Sequence, residues 1–216
     1  YEKYETWGLF LNNNGGFIQN LKLNLDMPMT TSVSGNTRNG VSYGAVCVSN
    51  RGNVVNCHVT IENYTDSYGV SFGGIVYSNS DAGIVSQCSI EGKAKGFSDI
   101  GGIVYSNEGY INDCKSYLSI VYEQYGGDAL AGIAVYNYGD GKIDFCINYG
   151  DISVTDAIGY GVGGIVGRLF SGTIDNCQNN GNLEVPKVYA IGGIAGNATE
   201  THHSYPNNTT RIVTNC

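Results

Sequence analysis

Apolar and polar positions recur along this chain as columns that return at a fixed interval, a pattern that neither a single helix nor a single strand produces. A block of the form Gly-Gly-Ile-Val-Tyr-Ser-Asn stands verbatim at residues 73–79 and 101–107, and related copies begin at Trp7, Gly44, Ala131, Gly163 and Gly192. These seven starts are spaced by about 31 residues on average, which is a solenoid period. A second block, Gly-x-φ-x-x-Cys with φ Ile or Val, follows each first one. Its apolar column is Ile18, Val54, Val85, Ile111, Ile143, Ile174 and Val213, and beyond it lie Asn20, Asn56, Gln87, Asp113, Phe145, Asn176 and Asn215. A third, looser segment alternates apolar with polar residues at 21–25, 59–61, 118–121, 152–154 and 183–185.

Units of this size cannot bury an apolar face alone, but stacked in register about 4.8 Å apart they build one continuous core. The chain therefore reads as a single all-β domain over 1–216: a right-handed parallel β-helix (β-solenoid) of about seven coils with three short strands per coil. Glycine marks corners where a left-handed or crowded backbone excludes a side chain. Asn13, Asn50, Asn79, Asn107 and Asn137 close the first block, where stacked amides can hydrogen-bond from coil to coil. Within that block both parities are apolar, Ile75 with Tyr77 and Gly74 with Val76, so alternation does not assign its inner face. One parity would leave an apolar outer stripe.

Composition narrows the function classes. With 32 Gly, 17 Tyr and 3 Pro in 216 residues, strands and tight turns dominate and helix is minor. A net charge of -8 with no basic cluster disfavours nucleic acid and anionic membrane as partners. No apolar run is long enough to cross a bilayer as a helix. Both ends lie close to a repeat without a polar cap, so a fragment of a longer polypeptide is expected.

Six of the seven cysteines, Cys57, Cys88, Cys114, Cys146, Cys177 and Cys216, take one equivalent position per coil, which Leu21 takes in the first. A slot that accepts Leu or Cys wants a small apolar group, and parallel Cβ vectors are poor disulfide geometry, so free buried thiols are expected there and at Cys47. No Cys-x-x-Cys, His-Glu-x-x-His or phosphate-loop motif occurs, and Gly-x-Ser-x-Gly at 40–44 and 69–73 belongs to the strand repeat and is no strand-to-helix elbow, so no metal or cofactor is called for.

The alternation of Gly-Gly-Ile-Val with Gly-x-Ile-x-x-Cys, best at residues 163–181 (GGIVGRLFSGTIDNCQNNG), resembles the GLUG-motif repeats of bacterial secreted and surface proteins. The resemblance implies an extracellular, cell-surface repeat region of an adhesin-like protein, or the non-catalytic part of an immunoglobulin A metallopeptidase. It implies no active site within the repeat. The chain departs from the usual Gly after Gly-Gly-Ile-Val at Leu11, Val48, Tyr77, Tyr105 and Val135, keeping it at Gly167 and Gly196.

Three functions follow as expectations. The first is a non-catalytic adhesion segment that contacts a host glycan, mucin or immunoglobulin-like glycoprotein. An aromatic residue precedes each first block, and Tyr43, Tyr64, Tyr68, Phe97, Tyr122, Tyr125, Tyr160 and Tyr189 are the candidate contact residues, since Tyr offers rigid contact area at low entropic cost. The alternative for the same rings is that they stack and seal the core. The second function is a passive stalk or scaffold for another domain. The third is a polysaccharide-active enzyme, with Asp113, Asp144 and Asp175 as paired carboxylates or as a calcium site.

Overall fold

The computed structural model describes residues 5–27, 41–64, 70–95, 99–123, 127–155, 161–186, 190–198 and 210–216. All its regular elements are strands, arranged in four parallel sheets that run the length of the stack. Sheet 1 contains Glu5–Trp7, Val41–Gly44, Val70–Gly73, Asp99–Gly101, Ala129–Ala131, Gly161–Gly163 and Ile191–Gly192 in that order, one strand from each of seven coils. Sheet 2 follows with Phe10–Asn13, Cys47–Asn50, Val76–Asn79, Val104–Asn107, Ala134–Asn137, Val166–Leu169 and Ala195–Asn197. Sheet 3 carries the φ column from Ile18 to Val213, and sheet 4 holds the third, looser segments. The three expected strands per coil are thus present as sheets 2, 3 and 4. Sheet 1 adds the short strand that enters each first block.

Each column of the sequence is a register of the structure. In sheet 3, for example, Val54 pairs with Val85, Val85 with Ile111, Ile111 with Ile143 and Ile143 with Ile174. These side chains are fully buried and belong to one continuous core. The ambiguous parity of the first block resolves at a corner. The chain turns between Gly73 and Val76, sending Ile75 and Val76 both into the core and leaving Tyr77 outside. Glycine is required here by crowding: a Cβ on Gly74 would lie 1.9 Å from the Gly102 carbonyl oxygen of the next coil.

The left-handed corner lies elsewhere, between sheets 3 and 4, and is occupied by the column before cysteine. Asn20, Asn56, Gln87, Asp113, Phe145, Asn176 and Asn215 all have φ between 49° and 61°. Asn and Asp tolerate this conformation because their short polar side chains bond locally, whereas a bulky residue there is strained. Phe145 is the exception to which the site returns below.

Two polar and sulfur ladders run through the stack. Asn13 donates to Asn50, Asn50 to Asn79, Asn79 to Asn107 and Asn107 to Asn137 over 2.7–2.9 Å, amide to amide. Each also donates to a glycine carbonyl, so these buried amides are well satisfied. The cysteines are all free, and Cys47, Cys57, Cys88, Cys114, Cys146 and Cys177 are buried while Cys216 is exposed. Burial pushes the Cys47 thiol up to about 11 and raises Cys114 as well.

Candidate binding face on sheet 4

Two of the candidate tyrosines, Tyr43 and Tyr122, are buried rather than exposed at an aromatic edge. Tyr43 lies in a strand of sheet 1, 6% exposed, in register with Trp7 and Phe72, and its ring stacks on Phe72 at 5.4 Å. Burial pushes its hydroxyl up to about 12. Tyr122 ends a strand of sheet 4, 1% exposed, with its hydroxyl oxygen accepting the Gly127 N–H at 2.6 Å. Both are core rings, which corrects their reading as contact residues. Tyr64 closes the strand His58–Tyr64, and Tyr68, Phe97, Tyr125, Tyr160 and Tyr189 lie outside the described residues. The correction has a simple cause. The core position of sheet 1 is the residue just before the first Gly, where Trp7, Tyr43, Phe72, Ile100, Leu130, Val162 and Ile191 succeed one another, and this register is not the column of loop aromatics.

A second set of rings lies on the outside where sheets 1 and 2 meet. Tyr77 and Tyr105 stack at 4.5 Å, Tyr105 meets Tyr136 edge-on at 5.3 Å, and Tyr138 stacks on Phe170 at 4.8 Å. The Arg168 guanidinium lies 4.6 Å from the Phe170 centroid. These rings pack on one another around a small apolar cluster with Ala129 and Val135. The outer stripe raised by the repeat therefore covers itself. Asp99 lies beside it, 7% exposed, and its carboxylate accepts the N–H groups of Asp128 at 2.7 Å and Ala129 at 2.9 Å. Burial outweighs these bonds and raises Asp99 to about 6.

Exposed aromatic residues among those described fall in two places: Trp7, Phe10 and Phe17 in the first coil, and a group on and beside sheet 4 in coils 4 and 5. Two outward columns cross this face. One runs Lys22, His58, Ser89, Lys115, Ile147, Gln178, and the other runs Asn24, Thr60, Glu91, Tyr117, Tyr149, Asn180. Along most of the stack these positions are polar. In coil 5 both turn apolar together, at Ile147 and Tyr149, and the adjoining left-handed corner turns apolar at Phe145. Phe145 is 55% exposed, Tyr117 44% and Tyr149 41%. The Tyr117 and Tyr149 rings lie parallel, 4.9 Å apart with a 3° interplanar angle.

Next to the rings the same columns carry a polar cluster. His58 Nδ1 is 2.8 Å from Ser89 Oγ, His58 Nε2 is 3.2 Å from Glu91 Oε1, and Thr60 Oγ1 donates to that oxygen at 3.1 Å. A serine, an imidazole and a carboxylate in line invite a hydrolytic reading, but the setting does not support one. The N–H groups of His58, Ser89 and Lys115 are spent on the carbonyls of Leu21, Cys57 and Cys88, so none of them is available beside Ser89 to hold an oxyanion. The cluster is a set of fixed donors and acceptors on a flat surface.

The three aspartates of the enzymatic reading are engaged locally. Asp144 is buried and bonded to Lys142 at 3.1 Å, and it receives hydrogen bonds from the Tyr110 hydroxyl and Asn176. Asp175 accepts bonds from Thr214 and Asn215, which hold its carboxyl below the usual range. Asp113 sits one column away at the left-handed corner. Among the described residues no group of three or more His, Cys, Asp or Glu side chains is placed to hold a metal ion, and no helix is long and apolar enough to cross a membrane.

These features define the protein as a parallel β-solenoid, with an exposed pair of stacked tyrosines on sheet 4. Among solved structures it is similar to the crystal structure of a "putative immunoglobulin A1 protease from Bacteroides ovatus", with 22% sequence identity and a TM-score of 0.60 over 94% of this chain and 68% of that one. That likeness concerns the fold. No protein-family model and no curated protein matches the chain.

Proposed function

We propose that this solenoid is a non-catalytic binding segment of a bacterial secreted or cell-surface protein, and that it contacts a host glycan or glycoprotein. The observation that carries this reading is the simultaneous change of three outward positions to Phe145, Ile147 and Tyr149 beside Tyr117, where most other coils hold polar residues. A coil needs none of these rings for its core, and Phe at a left-handed corner is a local cost. Large exposed aromatic residues on a rigid scaffold are suited to recognition. The resemblance of the repeats to GLUG-motif regions agrees with an extracellular setting.

The reading is tested by giving coil 5 the residue types of its neighbours, as Phe145→Asn, Ile147→Gln and Tyr149→Asn together. Immobilised mucin, immunoglobulin A and a glycan array are then probed with both proteins. Binding by the parent chain that the triple variant loses, with an unchanged far-ultraviolet spectrum, is the expected result. Absence of binding by the parent chain would overturn it. A second reading, a scaffold that positions a catalytic domain, is favoured by the printed description of the similar structure as a protease and predicts no binding by either protein.

A further inference from the structure

We infer that the ligand is a neutral oligosaccharide laid along the solenoid axis on sheet 4, with sugar rings on Tyr117 and Tyr149 and hydroxyls on the Glu91, His58 and Thr60 cluster. This deepens the binding function proposed above and rests on it. Three observations choose this occupant.

The first is area. Three rings of about 200 Å2 each, roughly half exposed, present on the order of 300 Å2 of apolar surface. A stable protein partner needs roughly 800 Å2 on each side. A sugar ring, with one apolar C–H face and a rim of hydroxyls, suits a patch of this size, whereas a second copy of the chain would be held weakly by it.

The second is the continuity of the columns. Thr60, Glu91, Tyr117, Tyr149 and Asn180 succeed one another coil by coil, about 4.8 Å apart. A linear chain crossing them meets hydrogen-bonding groups at one end, aromatic rings in the middle and an amide at the other. The polar end is already ordered. Glu91 is fixed by both His58 and Thr60, at 3.2 and 3.1 Å, so a ligand hydroxyl that donates to this carboxylate loses less freedom in binding.

The third is charge. Beside the Tyr117 ring the carboxylate of Glu91, in register, is balanced by Lys115 and Lys93 on the same outward parity, and the chain carries a net charge of -8. With no excess of cations at the rings, sialylated, sulfated or uronic glycans gain nothing over neutral ones there and are disfavoured by the net charge.

The test is isothermal titration of the intact chain with neutral oligosaccharides of two to six sugars and with sialylated counterparts, repeated on Tyr117→Ser with Tyr149→Ser and on Glu91→Gln. We expect affinity for the neutral series to rise with length, to fall at least tenfold in the tyrosine variant and several-fold in Glu91→Gln, and to be at least tenfold weaker for sialylated forms. Thermal unfolding identifies any variant that is misfolded, and for such a variant Tyr149→Asn, the residue type of coil 6, replaces it. Neutral glycan binding that survives both variants would overturn this placement while leaving the binding function intact. Preference for acidic glycans, or binding to glycoprotein but to no free glycan, would overturn the ligand class. Failure to bind any glycan or glycoprotein would overturn the binding function itself.

Discussion

The rings of Tyr117 and Tyr149 lie parallel at 4.9 Å on successive coils, each stacking on the other while both residues stay open to solvent. The stack is a local stabiliser as well as the proposed binding platform. A double-mutant cycle on Tyr117→Ser and Tyr149→Ser, read by thermal or urea unfolding, is expected to give a coupling near the lower end of the ~0.5–1.5 kcal/mol range for aromatic pairs. A coupling of zero would mean that the stack does not persist in solution.

Phe145 should trade stability for surface. With φ at 52°, its backbone lies in a region that costs a bulky L-residue roughly 1–2 kcal/mol. Phe145→Asn, the residue type of this column in four other coils, is expected to raise stability by about 1 kcal/mol and to weaken ligand binding. Urea titration alongside a binding assay separates the two effects.

Asp99 makes stability depend on pH in an unusual direction. Its carboxyl, about 3.8 when exposed, rises to about 6 in the fold, chiefly through burial, with Asp128, Tyr105 and Tyr136 also facing it. Between about pH 4 and 6 the folded chain binds more protons at this site than the unfolded one, so this contribution to stability falls as pH rises through that window. Asp99→Asn removes the dependence. It is expected to stabilise the protein at pH 7 by on the order of 1–2 kcal/mol and to have little effect at pH 4. Unfolding curves of both proteins across pH 4–8 measure the difference.

The asparagine ladder should be intolerant of interruption. Asn79→Ala deprives the Asn50 amide of its acceptor and the Asn107 oxygen of its donor, both buried. Each unsatisfied group costs about 1–3 kcal/mol, so a loss of roughly 2–5 kcal/mol is expected, with unfolding read by circular dichroism.

The thiols report the integrity of the core. In native protein a thiol reagent is expected to titrate Cys216 alone, and the other six should react only in denaturant, because they are buried. Burial also holds Cys47 and Cys114 in the unreactive protonated form.

Much of this architecture was legible in the sequence because a solenoid repeats its constraints. Val54, Val85 and Ile111 are recognisable as one core column since each coil meets the same neighbours, and the Asn and Cys columns follow by the same logic. What sequence alone could not place was a column's facing where a corner intervenes. The turn at Gly74 and Ile75 breaks alternation, which hid the inward turn of both Ile75 and Val76. The same difficulty made Tyr43 resemble a loop residue when it takes the core position of Phe72. The exposed face carried a signal that was available and missed. Phe145 interrupts a column of Asn, Asp and Gln, and Ile147 and Tyr149 interrupt two more, so the informative residues were the ones that break the repeat.

The most direct test of the binding face is fluorine NMR of protein labelled with 3-fluorotyrosine, assigned by single Tyr→Phe variants and titrated with the glycan found to bind. The account predicts that the Tyr117 and Tyr149 signals shift together and saturate, while those of Tyr43 and Tyr122, buried in the core, stay in place. Saturable binding that leaves Tyr117 and Tyr149 unmoved would contradict it.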